Sequence, residues 1–195
     1  MRRLIDRYTQ TTRLVLPHIG WAIHHSAPPA GLTFSNEVAH LDSIDRYHRQ
    51  VRGWSFGIGY HVAVFPSGNA YQVGRYHTAR AHVRAKNNLY AGMVFIGDFS
   101  HSQPTDGALK TAREVIKDSG MPVKGGHKQL QDGTACPGSW NLDLLKSQPM
   151  LSPRLSLKRP RWVAWAWALM RLNGNSITEL PPDDTTDWYK VGFRR

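Results

Sequence analysis

Three residues that could together hold one metal ion lie far apart in this sequence, and any fold that uses them must join distant segments. His24 lies near the start of the chain, whereas His127 and Cys136 lie far downstream. Two imidazoles and one thiolate suit zinc, which takes nitrogen and sulfur ligands in tetrahedral geometry. Three protein ligands leave a fourth position open, as in catalytic zinc sites that bind and acidify a water molecule.

Each of these residues also has a simpler interpretation. The chain contains ten histidines, so a chance match is a real alternative. His25 competes with His24, because successive side chains of a strand point to opposite faces of a sheet; we expect His24 to be the ligand. Cys136 is the only cysteine and has no partner for an intrachain disulfide, but it could be a small buried apolar residue.

The composition indicates a globular protein with a basic surface. The chain has 195 residues, 41% hydrophobic and 20% charged, enough for one domain with a core and an appendage. A single cysteine excludes a disulfide scaffold. The formal net charge of +11 favours an anionic partner, such as nucleic acid, an anionic membrane or an acidic cell-wall polymer. Because no zinc-finger spacing or helix-turn-helix signature is visible, we expect no specific nucleic-acid partner.

The N-terminus and the apolar segments bear on where the protein is made. Arg2 and Arg3 resemble the basic start of a secretory signal, but Asp6 and Arg13 lie where the apolar stretch should be. The apolar run 162–170 is too short to span a bilayer. We therefore expect synthesis in the cytoplasm without a signal peptide, so a substrate outside the cytoplasm requires a separate route of release.

Hydrophobic periodicity and turn residues predict an α/β fold with a single mixed central β-sheet flanked by helices. Apolar runs bounded by turn residues predict strands at 19–25, 61–65, 70–74 and 92–96. Residues 66–69 are typical of a hairpin turn between the second and third of these strands.

Helical spacing predicts two long helices and one short one. The first follows an N-cap at Ser35 and ends before Gly53. Its apolar face is expected to comprise Val38, Leu41, Ile44, Tyr47 or His48, and Val51. The second spans about 105–119, capped by Thr105 or Asp106 and ended by Gly120. The short one is expected after Pro137-Gly138.

Shifts in composition divide the chain into three parts. Residues 1–17 form a basic N-terminal arm that could include a short helix, residues 18–148 form the main domain, and residues 149–195 form a basic, tryptophan-rich C-terminal helical tail. The helix expected at 161–172 has two possible roles. It could dock on the domain through its apolar face, or it could bind anionic envelope lipid or wall polymer.

Several separated blocks of the main domain resemble the type 2 zinc-dependent N-acetylmuramoyl-L-alanine amidases, a family that includes phage lysozyme-type amidases and peptidoglycan recognition proteins. Those blocks are residues 23–26, 54–61, 65–68, 73–75, 81–82 with Asn87 and Gly92, and 126–127 with 134–138. Any one block is a weak signal, but together they are specific.

The resemblance implies roles for individual residues. His24, His127 and Cys136 match the zinc ligands. Tyr60 and Thr134 match catalytic positions where a hydroxyl orients water or donates to the developing oxyanion, although Tyr60 could instead fill the core. Trp54, His82 and Asn87 match positions expected to contact substrate.

The resemblance also implies an activity, the hydrolysis of the amide between N-acetylmuramic acid and L-alanine in bacterial peptidoglycan. The absent signal and the short basic layout favour a monomeric phage endolysin that degrades the cell wall after release and is bacteriolytic. Two alternatives stay open: a peptidoglycan-binding module without catalysis, and a cytoplasmic amidase that recycles soluble muropeptides.

Overall fold

The computed structural model describes residues 1–8, 13, 17–28 and 36–146. The strands are β1 (Arg2–Arg3), β2 (Trp21–His25), β3 (Val62–Val64), β4 (Ala70–Gln72), β5 (Ala91–Phe95) and β6 (Val123–Gly126). The helices are α1 (Ile5–Tyr8), α2 (Glu37–Gln50), α3 (Asp106–Ser119) and α4 (His127–Leu130), followed by a 3-10 turn at Leu142–Leu145. The tryptophan-rich tail lies outside the described residues.

The six strands form one mixed sheet in the order β1-β4-β3-β5-β2-β6. The β3–β4 hairpin is antiparallel, and the other neighbouring pairs are parallel. The predicted fold class, a single mixed sheet with flanking helices, is confirmed for this part of the chain. Within it, no helix has both the length and the apolar character that crossing a membrane requires.

The central strands have apolar side chains on both faces, as buried parallel strands do. Ile23 and Met93 belong to a core cluster with α3, whereas Val94 belongs to a second cluster with α2. His24 pairs in register with Val94. Because side chains alternate along a strand, His24 shares the face that carries the α2 cluster.

The caps of the long helices agree with the predictions at α3 and differ at α2. The Thr105 side chain accepts a hydrogen bond from the Ala108 amide, and Gly120 ends α3 with a left-handed φ of 66°. At α2 the cap is Asn36, whose side chain accepts from the Ala39 amide. The prediction of Ser35 was therefore wrong by one residue, because serine and asparagine cap helices about equally well and residue type does not choose between adjacent positions.

The first eight residues belong to the folded structure. Arg2 and Arg3 pair with β4, so this segment of the predicted arm adds an edge strand. The short helix anticipated there is α1, in which Ile5 and Tyr8 are buried. The Tyr8 hydroxyl donates to Asp42 of α2 over 2.9 Å. This bond joins the N-terminus to the second core cluster.

Two elements beside the metal ligands have no periodic signal in the sequence. Strand β6 contains two glycines, and α4 has only four residues. Strand β6 is held by parallel pairing with β2, with a register shift between Trp21 and Ala22. These elements therefore depend on contacts with distant parts of the chain. The short helix expected after Pro137-Gly138 is the 3-10 turn capped by Asn141.

Glu37 ties the start of α2 to the β3–β4 hairpin. Its carboxylate accepts hydrogen bonds from the Ser67 hydroxyl, the Asn69 amide at 2.9 Å and the Tyr71 hydroxyl at 2.7 Å. Partial burial alone would raise the pKa of Glu37, but these three donors lower that pKa below its ordinary value. The ionised carboxylate is thus the form that the folded state favours.

Replacing Glu37 by Gln should lower the free energy of unfolding near neutral pH by about 1–3 kcal/mol. Glutamine keeps one acceptor oxygen but replaces the other with an NH₂ donor and removes the negative charge to which the three groups donate. A lowered pKa stabilises the fold above the ordinary glutamate pKa, and this contribution is lost as the pH falls through the folded-state pKa. The difference between the two proteins, measured by urea unfolding across this range, should therefore shrink on acidification. Exposed Glu114, replaced by Gln, serves as the control and should change stability little. An equal loss at every pH would contradict this assignment.

Candidate metal centre

The sheet topology brings the three predicted metal ligands to one end of adjacent strands. His24 lies in the second half of β2, and His127 is the first residue of α4, directly after β6. Because β2 and β6 are parallel neighbours, their carboxyl ends lie side by side. Cys136 follows in the loop after α4. One potential ligand atom of each residue lies within 4.8 Å of those of the other two.

The geometry of these atoms fits a tetrahedral ion. The Cys136 sulfur lies 3.7 Å from Nδ1 of His24. Bonds of about 2.1 Å to nitrogen and about 2.3 Å to sulfur hold two tetrahedral ligands about 3.6 Å apart. Two neutral nitrogens and one sulfur are also the donor types that zinc prefers. The residues present therefore fit a zinc ion.

His25 faces away from this cluster, as strand alternation requires. Its ring Nδ1 accepts a hydrogen bond from the Phe99 amide at 3.3 Å, while its backbone amide points to the Cys136 sulfur at 3.3 Å. Of the two adjacent histidines, His24 is the one whose ring nitrogen lies close to the potential ligand atoms of His127 and Cys136. His25 contributes a backbone donor to the sulfur.

Burial governs the protonation of the cluster. Burial raises the pKa of the Cys136 thiol to about 11, only partly opposed by a backbone hydrogen bond from His25. Burial also lowers the pKa of His24 well below its ordinary value, and the neighbouring His82 and His127 lower it further. The His24 imidazole is therefore neutral in the folded chain. A cation at this point would have to replace the thiol proton.

The two predicted catalytic hydroxyls lie beside the cluster. The Tyr60 ring centroid is 5.2 Å from that of His24. Burial and the adjacent Cys136 raise the pKa of Tyr60, so its phenol remains a hydrogen-bond donor. Thr134 accepts a hydrogen bond from the Cys136 amide at 3.2 Å, which leaves its own hydroxyl proton unused by that bond.

A cleft of about 800 Å³ opens beside the metal ligands. Trp54, Tyr60, His82 and His127 line one part of it. Asn87, expected to contact substrate, is not among the lining residues. Its amide oxygen instead accepts from the backbone amides of His82 and Val83, at 2.8 and 2.9 Å. Asn87 therefore stabilises the backbone turn at His82 and Val83. Trp54 lines the cleft, where it could contact a bound ligand.

A further part of the cleft lining comes from α2, for which the sequence predicted a helix with an apolar stripe but no cleft. Its lining residues are His40, Ser43, Ile44, Tyr47 and His48, followed by Arg52. Of the two alternatives Tyr47 and His48, His48 is the buried one at 8% exposed, whereas Tyr47 is 47% exposed. Val51 is 67% exposed, so its place in the apolar stripe was wrong. The helical spacing of these residues can be read from the sequence, but periodicity alone does not distinguish a buried apolar stripe from the lining of a cleft.

Sequence comparisons identify relatives of this chain, although no protein-family model matches it. An N-acetylmuramoyl-L-alanine amidase from Mus musculus is 34% identical over 149 residues, covering 71% of this chain and 28% of the relative. Peptidoglycan-recognition protein SC1a from Drosophila melanogaster is 29% identical over 128 residues, covering 61% and 68%. The chain spans 26–28% of the length of the mouse, human and pig amidases.

Solved structures share the fold. Drosophila PGRP-LB matches with a TM-score of 0.65 and 25% identity, covering 77% of this chain and 95% of that one. Peptidoglycan recognition protein-LE in complex with tracheal cytotoxin gives 0.63 and 23%, covering 76% and 94%. The Ph2119 endolysin of a Thermus scotoductus bacteriophage gives 0.60 and 24%, covering 74% and 95%.

The fold and the sequence relatives define an α/β domain of the amidase and peptidoglycan-recognition class. The family indicated by the sequence blocks is confirmed: the chain is a relative of the type 2 N-acetylmuramoyl-L-alanine amidases and the peptidoglycan recognition proteins.

The alternation of β2 predicts different effects of removing its two histidines. Cobalt(II), loaded as a spectroscopic substitute for zinc, should show thiolate-to-cobalt charge-transfer absorption in the native chain. His24→Ala should lose this absorption, because a ligand is removed. His25→Ala should keep it, because that ring points to the opposite face. If the absorption were retained in His24→Ala and lost in His25→Ala, His25 and not His24 would be the metal ligand.

Proposed function

We propose that this chain is a zinc-dependent N-acetylmuramoyl-L-alanine amidase, which hydrolyses the amide between the lactyl group of N-acetylmuramic acid and L-alanine. The relatives support a peptidoglycan amidase or peptidoglycan-binding function. The observation that carries the catalytic proposal is the convergence of His24, His127 and Cys136 beside a cleft. A module that only binds has no chemical need for this donor set.

His24, His127 and Cys136 would hold the ion and leave one tetrahedral position open. The chemistry that a bound zinc supplies is polarisation of the scissile carbonyl and acidification of a water molecule. The buried His24 imidazole is neutral and can donate a lone pair, as metal binding requires. The backbone amide of His25 supports the negative charge that Cys136 must carry.

Tyr60 and Thr134 would supply the hydrogen bonds that stabilise the reaction. Since burial keeps the Tyr60 phenol protonated, it can donate to the oxygen of the scissile carbonyl as negative charge develops there. The Thr134 hydroxyl, held at the Cys136 amide, is a second potential donor. Both groups are neutral donors, which suits an oxyanion that forms and disappears within one turnover.

The cleft walls would position the glycopeptide. Trp54 offers an aromatic surface, and its ring lies 4.7 Å from the His48 ring, centroid to centroid. Arg52 lies over Tyr47 at the rim, 5.7 Å from the ring centroid. A guanidinium at that point suits the carboxylates of a peptide stem. The net charge of +11 would favour approach to an anionic cell wall.

Among cell-wall amidases, we favour a monomeric, bacteriolytic phage endolysin that is made in the host cytoplasm and acts on the wall after release. The formal net charge of +11, which favours approach to an anionic cell wall, supports this role. In this proposal the tail at 149–195 binds anionic envelope lipid or wall polymer. Cleavage of intact sacculi in preference to small soluble muropeptides would separate it from a recycling amidase.

The primary experiment combines metal analysis with turnover of purified peptidoglycan. The native chain should contain about one zinc per chain and release free amino groups on L-alanine without new reducing sugar ends. Cys136→Ser should lose both metal and turnover, while exposed His101→Ala should keep both. Reducing ends without new amines would indicate a glycosidase. Binding of peptidoglycan by the zinc-loaded chain without cleavage would indicate a recognition module.

Tyr60→Phe tests whether the phenol acts in catalysis or only fills space. Loss of one oxyanion donor typically lowers kcat by about 10²–10³-fold. The variant should show a loss of this order while its zinc content and thermal stability stay near those of the native chain, because the ring is retained. Thermal denaturation and metal analysis of the same preparation provide the control. Unchanged kcat would assign Tyr60 to packing.

A further inference from the structure

His82, which is not one of the three candidate metal ligands, links His24 to a backbone carbonyl through two hydrogen bonds. Nε2 of His24 lies 3.2 Å from Nδ1 of His82. Nε2 of His82 lies 3.2 Å from the carbonyl oxygen of Tyr90. The two imidazole planes are nearly perpendicular, at 85°. His82 is only 7% exposed, so no bulk water replaces these partners.

The direction of each hydrogen bond in this chain follows from its last member. A carbonyl oxygen can only accept, so Nε2 of His82 must carry a proton. A neutral imidazole has a single N–H, so Nδ1 of His82 must accept. The donor to it is Nε2–H of His24. The lone pair of His24 is therefore on Nδ1, the atom that lies 3.7 Å from the Cys136 sulfur.

We propose that His82 is a positioning residue that holds His24 in the tautomer protonated at Nε2, so that Nδ1 is the metal-binding atom. This inference rests on the proposed metal site and adds a residue to it. It also revises the expected role of His82. Although His82 lines the cleft, both of its ring nitrogens are engaged, which leaves neither for a hydrogen bond to substrate.

The surrounding residues hold the His82 ring in this position. The Asn87 amide oxygen accepts from the backbone amides of His82 and Val83, which fixes the turn that carries the ring. Gly92 provides the space: a Cβ there would lie 2.8 Å from Cγ of His82. The His…Asn…Gly block of the sequence thus serves one geometric purpose, the support of His24.

His127 has an equivalent partner of different chemistry. Its Nε2 lies 3.2 Å from Oε1 of Gln131. That atom also accepts from the Arg84 backbone amide at 2.7 Å, which identifies it as the oxygen of the side-chain amide. Nε2 of His127 is therefore the donor, so in the form that binds a metal its lone pair is on Nδ1. Both metal-binding imidazoles are held in the same tautomer by independent partners, as outer hydrogen bonds commonly do in metal sites.

Two substitutions of His82 separate positioning from packing. His82→Asn keeps an acceptor close to the position of Nδ1, whereas His82→Phe keeps the ring volume and removes the acceptor. His48→Phe is the matched control, because His48 is 8% exposed and also lines the cleft, while its Nδ1 accepts from Gly59 and not from His24.

The first measurement needs no metal. Long-range ¹H–¹⁵N correlation spectra of the metal-free chain should show His24 protonated at Nε2 in the native protein, in His82→Asn and in His48→Phe. His82→Phe should show a mixture of both tautomers. A native His24 protonated at Nδ1 would overturn the inference, even if His82→Phe failed to fold. So would an unchanged tautomer in folded His82→Phe.

The second measurement is zinc affinity, determined by competition with a chelator. Loss of such an outer partner typically weakens metal binding by about 10–100-fold, and His82→Phe should fall in this range. His82→Asn should recover most of the loss, and His48→Phe should match the native chain. Equal affinities of native and His82→Phe proteins would contradict the inference. Failure of the native chain to bind zinc would defeat the proposed function, whereas the tautomer measurement would still decide the role of His82.

Discussion

The parallel pairing of β2 with both β5 and β6 is the contact on which the site depends. It sets His24 opposite Val94 and next to the end of β6, where His127 begins α4. A slip of one residue along β2 would turn His24 to the α3 side and bring His25 into its place. Register is secured by the apolar residues on either side, since Ile23 and Met93 fit only the core cluster against α3. The core thus positions a polar site through strand alternation.

The buried histidines His82 and His48, which line the cleft, are neutral, and their neutrality determines which of their ring nitrogens donate and which accept hydrogen bonds. Burial lowers the pKa of His82 to about 3 and that of His48 to about 4, so these imidazoles remain uncharged near neutral pH. Each neutral imidazole then has one N–H donor and one acceptor nitrogen. A single partner that can only donate or only accept therefore determines which ring nitrogen carries the proton. Tyr90 and Gly59 supply those partners through the backbone. The orientation of the site is therefore determined by main-chain geometry more than by charge.

Residue type and local spacing predict those elements whose signals lie within the element itself, and they miss elements that form only against a distant partner. The helix α3 and its cap at Thr105 follow from sequence, because a cap and an apolar stripe are short-range properties. Strand β6 does not, since a segment with two glycines forms a strand only when β2 is present to pair with it. The spacing left Tyr47 and His48 as alternatives, because periodicity identifies a helical face without specifying what that face contacts. His82 was recognised as part of the site, but its nitrogen partners lie on other elements.

His24, His127 and Cys136 could be selected from the chain alone, because affinity for zinc is a property of imidazole and thiolate groups and their sequence blocks are distinctive. The metal-facing atom of each ring and the supporting role of His82 required the folded chain, which also confirmed the choice of His24 over His25. Each of these depends on which hydrogen-bonding atom lies within about 3 Å of a given ring nitrogen, and the tertiary structure decides that distance.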